Sequence, residues 1–254
     1  MEKVINYIWL GKGSKPNIMD ICINSWREKL PDYKIIEWNE DNLDFYREIE
    51  NNIFLKECYK RGLWAFLSDY FRLKVLYEHG GIYLDSDMQI LKKIDVFLNT
   101  RFFLGAEDDN QVSAGIIGAE KGHPLLKKIL DFYKEDIWKS NIYTIPAIIQ
   151  RILKDEYSFK GKIETKVELN DGILILPKEY FYPYHYTENF SYEKITSNTY
   201  GIHWWGKSWH KNPAKLYFLE FKHIKGIKKM LINFFIYTKT LEIIKKIYYS
   251  FIKK

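Results

Sequence analysis

The stretch from Trp64 to Ile90, WAFLSDYFRLKVLYEHGGIYLDSDMQI, constrains the fold more than any other part of the chain. Phe66, Leu67, Tyr70, Phe71, Leu73, Val75, Leu76 and Tyr77 make its first half apolar on several sides, the pattern of a helix inside a larger core. Gly80-Gly81 ends that helix, because glycine accepts the left-handed backbone of a C-terminal cap. Ile82-Tyr83-Leu84 is a short unbroken apolar run, as in a strand covered on both faces. Asp85-Ser86-Asp87 follows at once. In open α/β sheets, ligands bind beyond the carboxyl ends of strands, where this acid pair falls. Two carboxylates so spaced on a turn can reach one hard cation such as Mg²⁺ or Mn²⁺, which takes oxygen ligands and often shares them with phosphates. On the helix, Asp69 and Arg72 are three apart and share a face, either as part of a cleft or as a surface ion pair. An isolated D-x-D is common in solvated turns, so the weight rests on the whole string.

The elements around this stretch read as α/β. Val4 to Leu10 is an apolar strand, and Gly11 to Pro16 is a turn that fits neither G-x-x-x-x-G-K-[ST] nor G-x-G-x-x-G. Asn17 to Leu30 is an amphipathic helix, with Ile18, Cys22, Ser25 and Trp26 near helical spacing. Tyr33 to Trp38 is a second strand, and residues 41–60 read as interrupted helix. A strand–helix–strand–helix opening suits a nucleotide-binding half. Met88 to Leu91 and Arg101 to Ala106 read as strands, and 112–119 is small and apolar. Leu125 to Trp138 and Ile145 to Leu153 read as helices, and Ile173 to Leu176 as a strand. Tyr180 to Tyr186 is an aromatic run, suited to packing or to stacking on an acceptor sugar. Thr199 to Trp209 enters a glycine-containing turn and holds His203, Gly206 and Lys207, reasonable chemistry for a metal-bound diphosphate.

Taken together, Ser68-Asp69-x-x-Arg72 and Gly80-Gly81-Ile82-Tyr83-Leu84-Asp85-x-Asp87 resemble the signature of the DXD sugar transferases of glycosyltransferase family 32, which includes capsular and exopolysaccharide enzymes. The clostridial glucosylating toxins share a similar block. The resemblance implies a GT-A fold: a Rossmann-like mixed α/β sheet flanked by helices, binding a nucleotide-sugar. It implies that Trp9 lies near the base, where a core tryptophan is the equal alternative, and that Tyr83 lies near the nucleotide. The segment His203-x-x-Gly206-x-Ser208-Trp209 resembles the family's closing motif. It implies His203 as a third metal ligand beside Asp85 and Asp87, Gly206 and Lys207 at the diphosphate, and Ser208 and Trp209 closing the pocket. Asp69 and Arg72 would hold sugar hydroxyls. Family members often carry an asparagine where Ser113-Ala114 stands, so the donor contact differs here. Glu107, Asp108 and Asp109 are alternative carboxylates, with a solvated loop as the plainer reading. The implied reaction is retaining, metal-dependent transfer from a UDP-sugar, with UDP-Gal or UDP-Glc favoured. The expected acceptor is a glycan, taken as a lipid-linked oligosaccharide in capsule or surface polysaccharide synthesis. A toxin-like protein glycosyltransferase and a non-catalytic sugar-nucleotide or membrane-binding module are the alternatives.

Length and charge bound the rest. At 254 residues the chain suits one catalytic domain, taken as 1–221, with an appendage at 222–254. The net charge of +6 is concentrated in that appendage, which carries nine lysines and one acid, Glu242. The near-neutral body argues against nucleic acid as a partner. Ile224, Ile227, Leu231 and Phe234, then Leu241, Ile244, Tyr248 and Phe251, place apolar residues at helical spacing. A lysine-rich amphipathic tail suits an anionic membrane surface, while a helix pair docked on the body is the alternative. Cys22 and Cys58 form no metal or disulfide pattern. Neither a leader-like segment nor an apolar run near the ~20 residues of a membrane span is present, so the expectation is a cytoplasmic protein, peripheral on the inner face of the cell membrane.

Overall fold

The computed structural model describes residues 1–206 together with 219, 222, 224, 226–228, 230 and 231. Lys207, Ser208 and Trp209, and most of the tail, lie outside the described residues. The chain runs β1 (Val4–Ile8), α1 (Asn17–Lys29), β2 (Lys34–Trp38), α2 (Phe45–Asn51), α3 (Ile53–Lys60), α4 (Trp64–His79), β3 (Gly81–Leu84) and β4 (Met88–Ile90). It continues β5 (Phe102–Ala106), β6 (Val112–Ala119), α5 (Pro124–Glu135), α6 (Ile145–Glu156), β7 (Val167–Leu169), β8 (Ile173–Leu176) and β9 (Gly201–His203). Seven strands form one mixed sheet in the order β2-β1-β3-β6-β5-β8-β7, and β4 pairs with β9 in a small second sheet. This is the helix-flanked mixed α/β architecture expected above.

The central strands β1 and β3 are parallel, with Asn6 opposite Tyr83. Every residue of β3 is buried, as a strand covered on both faces requires. Successive side chains alternate between two cores. Tyr83 joins the core that helices α2 to α6 build on one face. Ile82 and Leu84 join the opposite core, built by α1 and β4. The glycine pair is needed where it stands. Gly80 and Gly81 have φ of 71° and 95°, and a Cβ at Gly81 would lie 2.8 Å from the Val4 carbonyl oxygen of the adjacent strand.

One element departs from expectation and two gain definition. Residues 112–119 are a fully buried strand, β6, antiparallel to both β3 and β5. Its small residues have a steric reason: a Cβ at Gly118 would lie 2.0 Å from the Phe103 ring. Met88–Ile90 does not extend the main sheet; the turn closed by Met88 N–H to the Asp85 carbonyl, 2.9 Å, carries it away to β9. The interruption within 41–60 falls at Asn52. Its Oδ1 accepts from the Phe54 and Leu55 amides to start α3, and its Nδ2 donates to the Tyr133 carbonyl. In the tail, Lys222 is buried and donates to the carbonyls of Ser140 and Leu219, so at least this lysine packs on the body. Among the described residues no helix is long and apolar enough to cross a membrane.

Candidate active site

The site begins with α1, whose buried face holds β4. The Trp26 indole donates to the Met88 carbonyl at 2.6 Å, and the Ser25 hydroxyl accepts from the Ile90 amide at 3.0 Å. Strand β4 then pairs antiparallel with β9, placing Met88 opposite His203. A strand far along the chain is thereby delivered to the turn that follows β3. The His203 Nε2 lies 3.1 Å from Asp87 Oδ1 and 3.7 Å from Asp85 Oδ2.

Asp85 and Asp87 are held differently. Asp85 Oδ1 accepts from the Tyr83 hydroxyl at 2.7 Å and pairs with the Arg72 guanidinium at 3.0 Å, leaving Oδ2 toward His203. Arg72 also pairs with Asp69 at 2.9 Å and donates to the Ala114 carbonyl at 2.9 Å. Its guanidinium lies over the Tyr83 ring, 4.6 Å from the centroid. Asp87 Oδ2 accepts from the Gly206 amide at 2.7 Å, and a Cβ at Gly206 would approach that oxygen to 3.0 Å. The Asp87 carbonyl accepts from the Trp204 amide at 3.0 Å, which ties the two strand ends together.

The electrostatics follow from burial and pairing. Burial opposes the Asp87 charge, yet the His203 ring and the Gly206 amide outweigh it and hold the carboxyl well below the usual range. Burial likewise opposes a charged His203, but Asp87 and Asp85 outweigh it and raise its pKa. Asp69 is pushed up to about 6, chiefly by burial and further by Asp85, against the opposing effect of Arg72. Burial pushes Glu107 up to about 7, and Asp108 adds to the shift.

One oxygen from Asp85, one from Asp87 and one ring nitrogen of His203 can converge, all within 4.8 Å of one another. Space is kept for a guest there: a Cβ on Gly115 would lie 3.1 Å from Asp85 Oδ2, 3.4 Å from His203 Nε2 and 2.9 Å from the Tyr182 hydroxyl. Two carboxylates and an imidazole form a mixed oxygen and nitrogen donor set that suits a divalent cation of the Mn²⁺ or Mg²⁺ kind. Among the described residues the other ring nitrogen, Nδ1, is buried without a hydrogen-bond partner.

The remaining predicted residues fall around this cluster. Trp9 stands one residue past β1 and thus at the same sheet margin as Asp85, half-buried, its indole donating to the Gly13 carbonyl at 3.1 Å. Tyr83 is 1% exposed and reaches Asp85 from within the core. Asp69 and Arg72 stand behind Asp85, not in an open cleft. Glu107, given above the plainer reading of a solvated loop residue, is only partly exposed and interacts with the Ser113 side chain. Sequence reasoning gave no site role to Trp205, and it placed Tyr182 only within an aromatic run suited to packing or to an acceptor sugar and Gly115 only within the small apolar segment 112–119. Tyr182 lies over Gly105, where a Cβ would come within 2.6 Å of its ring, and its hydroxyl accepts from the Ile116 amide at 3.1 Å. Trp205 has φ of 54° and sets its ring 4.4 Å from that of His203. The usable signal was the aromatic run 180–186, which marks a wall without saying what it encloses.

Comparison with known proteins fits this geometry. Residues 16–103 match the family model described as a glycosyltransferase sugar-binding region containing the DXD motif, and residues 118–217 match the alpha 1,4-glycosyltransferase conserved region. The chain is similar to human lactosylceramide 4-alpha-galactosyltransferase, 28% identical over 154 residues, covering 56% of this chain and 41% of the relative. The mouse protein of that name is 32% identical over the same length and coverage. A mannosyl phosphorylinositol ceramide synthase of Saccharomyces cerevisiae is 28% identical over 195 residues, covering 73% of this chain and 46% of the relative. The chain thus spans less than half the length of these relatives. Among solved structures, the PaToxG glycosyltransferase aligns with a TM-score of 0.49 at 17% identity, covering 61% of this chain and 68% of that one. The glycosyltransferase GlyE of Streptococcus pneumoniae aligns with 0.46 at 12% identity, covering 93% and 63%. Both models describe glycosyltransferases, and with the acid pair at the sheet margin the chain resembles the DXD-motif sugar transferases of glycosyltransferase family 32.

Proposed function

We propose that the protein is a metal-dependent retaining glycosyltransferase that moves a hexose from a UDP-sugar to a glycan acceptor. The observation that carries this reading is the convergence of Asp85, Asp87 and His203 from two distant parts of the chain. These three residues would hold a divalent cation, whose charge would offset that on a departing diphosphate. The chain's own residues set the geometry. Arg72 and Tyr83 aim Asp85, the Gly206 amide fixes Asp87, and Trp205 packs against His203. Lys207, Ser208 and Trp209, outside the described residues, are assigned to the diphosphate by the closing motif alone. Trp9, at the same sheet margin as Asp85, is assigned to the base by the resemblance alone. UDP-galactose is the favoured donor, since several relatives are named as galactosyltransferases, with UDP-glucose next. A lipid-linked glycan in capsule or surface polysaccharide assembly is the favoured acceptor, because the relatives' names all refer to glycolipids.

The test is release of UDP from a panel of UDP-sugars in the presence of Mn²⁺. Slow release by the parent is expected, abolished by chelation and by Asp87→Asn. Equal release by Asp87→Asn, or no release and no binding of any nucleotide-sugar, would reject the reading.

The tail is assigned to the cytoplasmic face of an anionic membrane. Ile227, Met230 and Leu231 are 75%, 66% and 48% exposed, which supports an apolar stripe turned away from the body.

A further inference from the structure

A cavity of about 520 Å³ opens beside the cluster of Asp85, Asp87 and His203. Two side chains join the two spaces. Tyr182 lines the cavity, and its ring lies 5.4 Å from that of His203. His185 lines it too, 6.2 Å from Trp205, which itself packs on His203. Glu107 stands in the wall, and Ser113 lies behind it, interacting with both Glu107 and Tyr182. Glu107 also interacts electrostatically with His203, so a carboxyl borders the triad.

The chemistry of the lining discriminates among occupants. Of its described residues, the two amines are each held by a carboxylate: Lys178 lies 3.0 Å from Asp109, and Lys194 lies 2.6 Å from Glu188. Neither is left to receive a phosphate, sulfate or sialic acid, and Glu107 and Asp108 would repel one. Carboxylates beside aromatic rings suit the hydroxyls and apolar faces of an uncharged sugar. Burial draws Glu107 toward its neutral form, so near neutral pH it can accept or donate a hydrogen bond to a hydroxyl.

We propose that this cavity is the acceptor subsite, that it takes an uncharged sugar, and that Glu107 is the specificity-determining residue holding the hydroxyl to be glycosylated. This rests on the sugar-transfer reading above. In the transfer, the bond from that hydroxyl oxygen to the donor's anomeric carbon forms as the bond from that carbon to the diphosphate breaks. The electron pair leaves on the diphosphate, which also takes the hydroxyl proton.

The test uses the full chain and two readouts. A printed array of neutral and acidic oligosaccharides is probed with the protein in UDP and Mn²⁺. In parallel, product on neutral disaccharides (lactose, maltose, mannobiose) and on 3′-sialyllactose is compared with donor hydrolysis. Binding and product confined to neutral sugars are expected. The ratio of transfer to hydrolysis should fall about tenfold or more in Glu107→Gln and His185→Ala, the loss of one hydrogen bond or one stacking face. Because a ratio is read, general loss of activity does not imitate the result, and His185→Ala serves if Glu107→Gln fails to fold. Acidic sugars bound or glycosylated as well as neutral ones, an unchanged ratio in the folded variants, or no sugar accepted at all would overturn the inference. Hydrolysis persisting in the parent and lost in Asp87→Asn leaves the sugar-transfer reading standing under any of these outcomes; its absence together with no binding of any nucleotide-sugar removes both.

Discussion

Arg72 is the residue on which the acid pair depends most directly. It is 7% exposed, carries Asp69 and Asp85 on its guanidinium, and also bonds the Ala114 carbonyl. Replacing it by methionine would strand two poorly solvated carboxylates without their cation. Arg72→Met is expected to cost about 3–5 kcal/mol, read as a fall in denaturation midpoint at neutral pH. Glu107 makes the opposite case, since burial and Asp108 outweigh the lowering effects of His203 and Ser113. Its carboxyl is raised from 4.5 to about 7 in the fold. Below 4.5 the folded and unfolded states both hold the proton. Between the two values the unfolded chain releases it first, so stability declines as pH rises and levels off above about 7. Glu107→Gln should therefore gain stability relative to the parent above that range and none in acid, which melting curves across the range would show.

At the scale of elements, the short pair β4 and β9 is what turns an acid pair into a site. It holds only three residues on each strand, and α1 fastens it to the body through Ser25 and Trp26. Ser25→Ala would leave the Ile90 amide buried and unbonded, at a cost of about 1–3 kcal/mol measured by chemical denaturation. Helix α4 and strand β3 were legible in advance because their buried residues are local and continuous. The same locality argument is silent on β4. Its three residues look like a continuation of β3, and only the hydrogen bond from Met88 to Asp85 sends them elsewhere. Strand β6 was equally hidden: buried on both faces among glycines and alanines, it has no alternation to read, and its glycines answer to rings such as Phe103 from a neighbouring strand.

For the whole molecule, the division of charge is the governing property. A near-neutral body with a lysine-rich end would meet an anionic bilayer through that end, each lysine near the surface adding about 1 kcal/mol. Removing residues 223–254, which keeps the buried Lys222, is expected to abolish co-sedimentation with anionic vesicles and leave UDP release intact. Unchanged sedimentation would assign the tail to packing instead. The body offers the complementary arrangement. The triad and the cavity of about 520 Å³ share the walls formed by Tyr182 and by the His203 to His185 aromatic series, so the two spaces fall on one side of the protein.

What the residues alone determined is the part written in neighbours: a buried helix, a glycine stop, a covered strand and two acids at its end. Burial and backbone conformation there depend on contacts within one short segment, so the string from Ser68 to Asp87 carries both the fold and the family resemblance. The tertiary structure decided the rest. It brought His203 to Asp87 through a pairing of distant strands, turned Arg72 and Tyr83 inward as supports for Asp85, and drew Glu107 from an apparent surface loop into a wall. Each of these depends on which strand lies beside which, a choice made by the cores on the two faces of the sheet, and no local pattern of residues encodes it.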